Sequence, residues 1–116
     1  MKNLFTTLSK MLNESRVVID RPKGSQHPRY PDQYTYPLDY GYIDGTKSQD
    51  GDGIDVWLGS GDQKLVSGIL VVADPVKKDS EIKVLVGCSE DEMRLAYDYN
   101  NRGEQAALLV KNEVKL

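Results

Sequence analysis

Apolar residues along the chain fall into two spacings, and the spacing sets the element. Leu4, Phe5, Leu8, Met11 and Leu12 recur every three or four positions, which predicts a short amphipathic helix over residues 3–12, closed by Asn13 or Glu14. Arg16 to Asp20 then reads as a strand. Pro22, Gly24, Pro28 and Pro31 break regular structure directly after it. Ile54, Val56 and Leu58 alternate with Asp55, Trp57 and Gly59, the period-two mark of a half-buried strand, so Asp55 faces away from Ile54 and Val56. Val66 to Ala73 is a mostly apolar strand ended by Asp74-Pro75, and the polar segment 77–81 joins it to a second strand, Ile82 to Val86, in a hairpin-like pair. Ser89 and Glu92 have the spacing of a capping box, which predicts a helix to about Asn100 with Met93, Ala96 and Tyr97 on its buried side and Asn101-Arg102-Gly103 as its stop. Ala106 to Val110 is a last apolar run, a strand or a short helix. Strands outnumber helices and connections are short, so the pattern predicts a mainly β barrel with two flanking helices.

At 116 residues this is one domain, able to bury about two-thirds of its unfolded surface without staples. Cys88 is the only cysteine, so no internal disulfide forms. No apolar run approaches membrane-spanning length and the N-terminus lacks a secretory signal, which makes a soluble cytoplasmic protein with no membrane partner the expectation. A formal net charge of −3 argues against nucleic acid as a partner. The basic residues are nonetheless uneven, with Arg16, Arg21, Lys23 and Arg29 gathered upstream of an acidic stretch.

That stretch is Asp50-Gly51-Asp52-Gly53-Ile54-Asp55-Val56, three carboxylates entering a strand. Held close together they repel, and burying them costs several kcal/mol each without a compensating cation. Hard oxygen ligands without Cys or His favour magnesium, manganese or calcium over zinc. The spacing does not fit an EF-hand loop, because Ile54 and Asp55 stand at its fifth and sixth places and Gly61 at its closing one. A solvated Asp-Gly turn is the bland alternative. Five of the seven tyrosines, Tyr30, Tyr34, Tyr36, Tyr40 and Tyr42, precede the acidic stretch, and they either pack a small sheet or project phenols towards an anionic ligand. Pro37 and Gly41 give the segment 37–42 the composition of a tight bend. His27, the only histidine, reads as a turn residue.

Tyr36-Pro37-Leu38-Asp39-Tyr40-Gly41-Tyr42-Ile43, followed by Asp50-Gly51-Asp52-Gly53-Ile54-Asp55-Val56, closely resembles the signature region of the soluble (family I) inorganic pyrophosphatases, and the resemblance spans about residues 17–86. It implies a small closed OB-like β barrel carrying a cluster of Mg²⁺ ions (Mn²⁺ as a substitute) that bind pyrophosphate and activate a water. Carried over position by position, Asp50 and Asp55 resemble ligands of the tightest metal, Asp52 the catalytic carboxylate that takes a proton from the attacking water, and Asp74 and Asp79 a second metal-binding pair. Asp20 stands where the family has a metal-cluster Glu. Arg29 and Tyr40 resemble phosphate-binding residues, Tyr36 a Tyr lining the pocket, and Arg21 or Lys23 a substitute cation. Lys83 resembles a further phosphate-binding Lys, although the family places it two residues after the aspartate and here it stands four after Asp79. Gly53 replaces a usual Pro, the segment between Tyr30 and Tyr36 is short, and a phosphate-binding Arg and a C-terminal Tyr-Lys pair have no counterpart, which implies weakened phosphate clamping. The expectation is Mg²⁺-dependent hydrolysis of pyrophosphate to two phosphates. The alternatives are hydrolysis of a larger phosphate ester or nucleotide, and a non-catalytic metal- or phosphate-binding module. Bacterial members of that family often form symmetric oligomers, so a homo-oligomer is expected too.

Overall fold

The structure, a computed structural model, describes residues 3–113. Helix α1 (Leu4–Asn13) starts where the Asn3 side chain accepts the backbone N–H of Thr6 at 2.8 Å, satisfying one of the free donors of the first turn. Leu8 and Leu12, one turn apart, are buried. Strands β1 (Val17–Arg21), β2 (Asp39–Ile43), β3 (Ile54–Leu58), β4 (Val66–Asp74) and β5 (Asp79–Val86) follow, then helix α2 (Glu90–Asn100) and strand β6 (Ala106–Lys111). The predicted capping box is present: Ser89 Oγ accepts from Glu92 N and the Glu92 carboxylate accepts from Ser89 N. No helix among the described residues is long and apolar enough to cross a membrane.

All six strands form one sheet in the order β1-β2-β3-β5-β4-β6, with β3 and β5 parallel and the other neighbours antiparallel. The expected closed barrel is not found. Strands β1 and β6 end the sheet and do not pair with each other, so the sheet stays open. Alternation along the strands did not carry this information, because closure depends on whether the two end strands meet.

The segment expected to bend at 37–42 instead holds β2. Gly41 sits within it because β1 passes too close for a side chain: a Cβ there would lie 1.8 Å from the Val18 carbonyl oxygen. Ala106 to Val110 resolves as strand, paired along β4 from Ala73↔Ala106 to Gly68↔Lys111.

Each face of the sheet buries its own core. Ile43, Val56, Val66, Ile69, Val84 and Val86 pack with Leu8 and Leu12 of α1. Alternate residues on the other face, Trp57, Leu70, Val72 and Leu85, pack with Tyr36, Leu38, and Met93 and Ala96 of α2. Tyr97 of α2 packs half-buried against this core, and Asn100 is buried as well, its amide donating to the Ala96 carbonyl. The polar site occupies the continuation of this second face, past its apolar rows.

Candidate active site

The strand period builds the site. Asp55 and Trp57 of β3 share a face, as do Asp79, Glu81 and Lys83 of β5 and Val72 and Asp74 of β4. The register sets them side by side, with Asp55 opposite Lys83, Val72 opposite Glu81 and Asp74 opposite Asp79. They line a cavity of about 390 Å³ together with Tyr36, Tyr40, Asp50 and Asp52. Five expected metal or catalytic carboxylates, Asp50, Asp52, Asp55, Asp74 and Asp79, therefore meet at one cavity. A larger groove of about 780 Å³ runs past Leu8, Ile54, Val71 and Ile82. It is floored by apolar side chains and touches the acidic set only at Asp50, Asp79 and Glu81, so the chemistry concentrates in the smaller cavity.

The loop before β3 combines turn chemistry with the site. Asp50 Oδ1 accepts from Ser48 Oγ at 2.5 Å and from Asp52 N at 3.0 Å, and these bonds hold the Asp50 carboxyl below the usual carboxylate range. Gly51 has φ +91°, a left-handed conformation open to glycine at little cost. At Gly53 the Tyr42 ring leaves no room for a side chain, since a Cβ would lie 2.7 Å from Tyr42 Cδ2. Asp74 closes β4, where its Oδ1 accepts from Val76 N and Lys77 N at 2.9 and 3.2 Å. Among the described residues the carboxylates of Asp52 and Asp79 make no hydrogen bond or ion pair, so their lone pairs remain available to the cavity.

At the floor, Lys83 Nζ lies 3.1 Å from Asp55 Oδ2, 2.8 Å from Glu81 Oε1 and 2.5 Å from Tyr40 Oη. Burial works against its charge, and the Tyr40, Asp55 and Glu81 oxygens outweigh burial, raising Lys83 above the ordinary lysine range. Burial likewise raises the Tyr40 phenol, which stays protonated. The position two residues after Asp79 thus holds a carboxylate, Glu81, with the lysine two residues further along the same strand face.

Three expected site residues lie elsewhere. Asp20 is the extra residue of a β-bulge: Ile19 pairs with Gly41 and Arg21 with Tyr40, which leaves Asp20 exposed and turns Arg21 onto the cavity. Lys23 and Arg29 are exposed and do not line the cavity; Lys23 gives only its backbone N–H, to Asp39 Oδ1 at 2.8 Å.

In their place stand Arg21, the alternative to Lys23, and two residues the sequence did not single out, Lys77 and Arg102. Lys77 belongs to the Asp74–Asp79 hairpin, so its place between two singled-out aspartates was a usable signal. Arg102 carried no such signal, because it is remote in sequence from every singled-out site residue and reaches the cavity only through the docking of α2. Its guanidinium stands 4.3 Å from the Tyr99 ring centre and 5.3 Å from that of Tyr34, and Nη1 donates to the Tyr99 carbonyl at 3.0 Å. His27 also lines the cavity, parallel to Tyr36 at 6.2 Å. Burial and then Arg102, Arg21 and Arg29 lower its pKa. Its Nδ1 accepts backbone N–H groups from Arg29 and Tyr30 at 3.1 and 3.3 Å, which holds the turn together.

Tyr36, Tyr40, Trp57 and Tyr99 form an aromatic wall with ring centres 4.6 to 5.8 Å apart. Tyr36 and Tyr40 thus pack the sheet and face the cavity at once. Trp57 Nε1 and Tyr99 Oη are buried and have no hydrogen-bond partner among the described residues. Cys88 lies outside the cavity, and burial pushes its thiol up to about 12, the opposite of a reactive thiolate.

Among the described residues no three His, Cys, Asp or Glu side chains converge closely enough to ligate one metal ion together, so there is no preformed cage. The oxygen-only set with free lone pairs on Asp52 and Asp79 does suit a hard dication that completes its shell with water and substrate oxygens. The residues fit such an ion as an open site.

A family model described as Inorganic Pyrophosphatase matches residues 3–114. Among solved structures, the inorganic pyrophosphatase of Coxiella burnetii superposes with a TM-score of 0.55 at 17% identity, covering 84% of this chain and 83% of that one. That of Helicobacter pylori gives 0.55 at 16% identity with 82% and 81% covered, and that of Neisseria gonorrhoeae 0.52 at 18% identity with 82% and 80% covered. At these identities the structures show a shared fold. No curated protein sequence matches the chain.

Proposed function

The chain belongs to the inorganic pyrophosphatase family, a family of hydrolytic enzymes, and from that premise we propose that it hydrolyses inorganic pyrophosphate to two phosphates in a Mg²⁺-dependent reaction. One observation carries the reading: five aspartates stand around a single cavity whose other walls bring Arg21, Lys77 and Arg102. Pyrophosphate is a dense anion, and its hydrolysis needs cations on the transferring phosphoryl, an oriented water and a proton acceptor.

Asp50, Asp52, Asp74 and Asp79 are the residues that would hold Mg²⁺, with Asp55 on the floor beneath them. The chemistry supplied by the bound ion is neutralisation of phosphoryl charge and acidification of a water. The chain's own groups do the rest. Asp52, with no bond to satisfy inside the protein, is the acceptor of the water's proton at a carboxylate oxygen. Arg21, Lys77 and Arg102 draw in the substrate anion, and Arg102 is held by its bond to the Tyr99 carbonyl so that little side-chain freedom is lost when it binds. Trp57, Tyr99 and Tyr36 close the aromatic wall behind the substrate.

The test is phosphate release from pyrophosphate and from a panel of nucleoside polyphosphates, each with Mg²⁺ and with a chelator. Release from pyrophosphate that stops with the chelator is expected. Faster release from nucleotides than from pyrophosphate overturns the substrate assignment, and release from neither, with metal still bound, makes the protein a binding module.

A further inference from the structure

Three protein oxygens surround the Lys83 ammonium, which donates to Tyr40 and Asp55 and is ion-paired with Glu81. Asp55 Oδ2 lies at 3.1 Å, Glu81 Oε1 at 2.8 Å and Tyr40 Oη at 2.5 Å, while the side chain is only 9% exposed. An ammonium donates three bonds and accepts none. With three protein oxygens packed around a buried ammonium, a phosphate oxygen reaches Lys83 only by displacing one of them. Phosphate binding, the role that resemblance gave this residue, therefore does not match its bonding.

The surroundings match those of an ion site instead. Oxygens from three adjacent strands, β2, β3 and β5, converge on one positive centre, and the parallel register sets Asp55 directly across from Lys83. Glu81 reaches the same centre from two residues earlier on the same face of β5. Two partly buried carboxylates this close to a common point repel one another, and a cation between them offsets that repulsion. Lys83 supplies one charge to their two and is covalently part of the chain.

We propose that Lys83 is a built-in cation that occupies, between Asp55 and Glu81, a place a divalent ion would otherwise take, so that exchangeable metal is confined to the outer carboxylates Asp50, Asp52, Asp74 and Asp79. The inference deepens the metal-dependent reading above and rests on it only for the outer ions.

The number of bound Mn²⁺ ions tests it, counted without substrate by calorimetric titration and by electron paramagnetic resonance of the free ion. Lys83→Met keeps the apolar stem and removes the charge. It should bind one Mn²⁺ more than the natural protein, and the additional ion should be lost again in the double variant Lys83→Met, Asp55→Asn. With Lys83 intact, Asp55→Asn and Glu81→Gln should each leave the count unchanged. A count that falls by one in the Asp55→Asn protein shows that Asp55 already ligates metal and overturns the proposal, as does an unchanged count in Lys83→Met. If Lys83→Met fails to fold, the two carboxylate variants still decide. A natural protein that binds no Mn²⁺ sinks the metal-dependent function, whereas an ion gained by Lys83→Met still supports the built-in cation, so the two failures are told apart.

Discussion

Replacing Glu92 by alanine should destabilise the fold in a pH-dependent way. The Glu92 carboxylate accepts from Ser89 N at 2.9 Å, closing the capping box of α2, and from Ser60 N at 3.0 Å and Ser60 Oγ at 3.2 Å. One side chain thereby starts the helix and fastens it to the segment that follows β3. Losing a capping residue costs about 1 kcal/mol. The bonds to Ser60 are charge-assisted but exposed to solvent, which lowers their worth to about another 1 kcal/mol. A total near 2 kcal/mol corresponds to a melting temperature lower by roughly 6–10 °C for a domain of this size. Burial works to raise the Glu92 carboxyl, and the bonds from Ser89 and Ser60 outweigh it, so its folded pKa is lowered. A carboxylate with a lowered folded pKa contributes fully above its unfolded value, about 4.3, and the contribution is lost as pH falls through the folded value. Calorimetric melting of both proteins at pH 7 and near pH 3 should show the gap at pH 7 and a smaller one near pH 3. An equal gap at both pH values would mean that packing, not the charged acceptor, supplies the stability. No gap at pH 7 would refute the pinning argument altogether.

The remaining predictions concern the cavity and the sheet. Asp52→Asn should lower phosphate release from pyrophosphate by about a hundredfold or more and lower Mn²⁺ affinity measured by calorimetry by much less than that, since Asp50, Asp74 and Asp79 remain as ligands; undiminished release would assign the proton to another group. Arg102→Gln should raise the KM for pyrophosphate by about tenfold or more, the worth of a charge-assisted bond to phosphate, and an unchanged KM would reduce Arg102 to a prop over Tyr99 and Tyr34. Gly41→Ala places a Cβ 1.8 Å from the Val18 carbonyl oxygen and must push β1 from β2, costing about 3 kcal/mol or more. Urea unfolding checks it, and an unmoved midpoint would show that the strands part without loss.

What the sequence determined by itself is whatever neighbours along the chain decide. The alternation from Ile54 to Leu58 placed Asp55 on the opposite side from Val56, and it shares the cavity with Trp57. The Ser89 and Glu92 spacing located α2, because the capping box is a bond between residues three apart. Asp74 and Asp79 were marked as a pair, and a short hairpin does bring them face to face. The acidic loop was legible for the same reason, with Asp50 bonding to Ser48 and Asp52 within its own turn. Tertiary structure decided what depends on distant strands. Gly41, read as part of a bend, is demanded by the carbonyl of Val18 on a strand paired with its own. A single bulge residue exchanged Asp20 for Arg21 at the cavity, and no local pattern announces a bulge. Arg102 joined the site through the packing of α2 on the sheet, and Lys83 found all its partners across neighbouring strands or two residues back along its own. Closure likewise turned on the two end strands, β1 and β6, which belong to opposite ends of the chain. Period and capping are local energies that a sequence displays directly, whereas register, bulges and closure arise from pairing between segments far apart in the chain and exist only once it has folded.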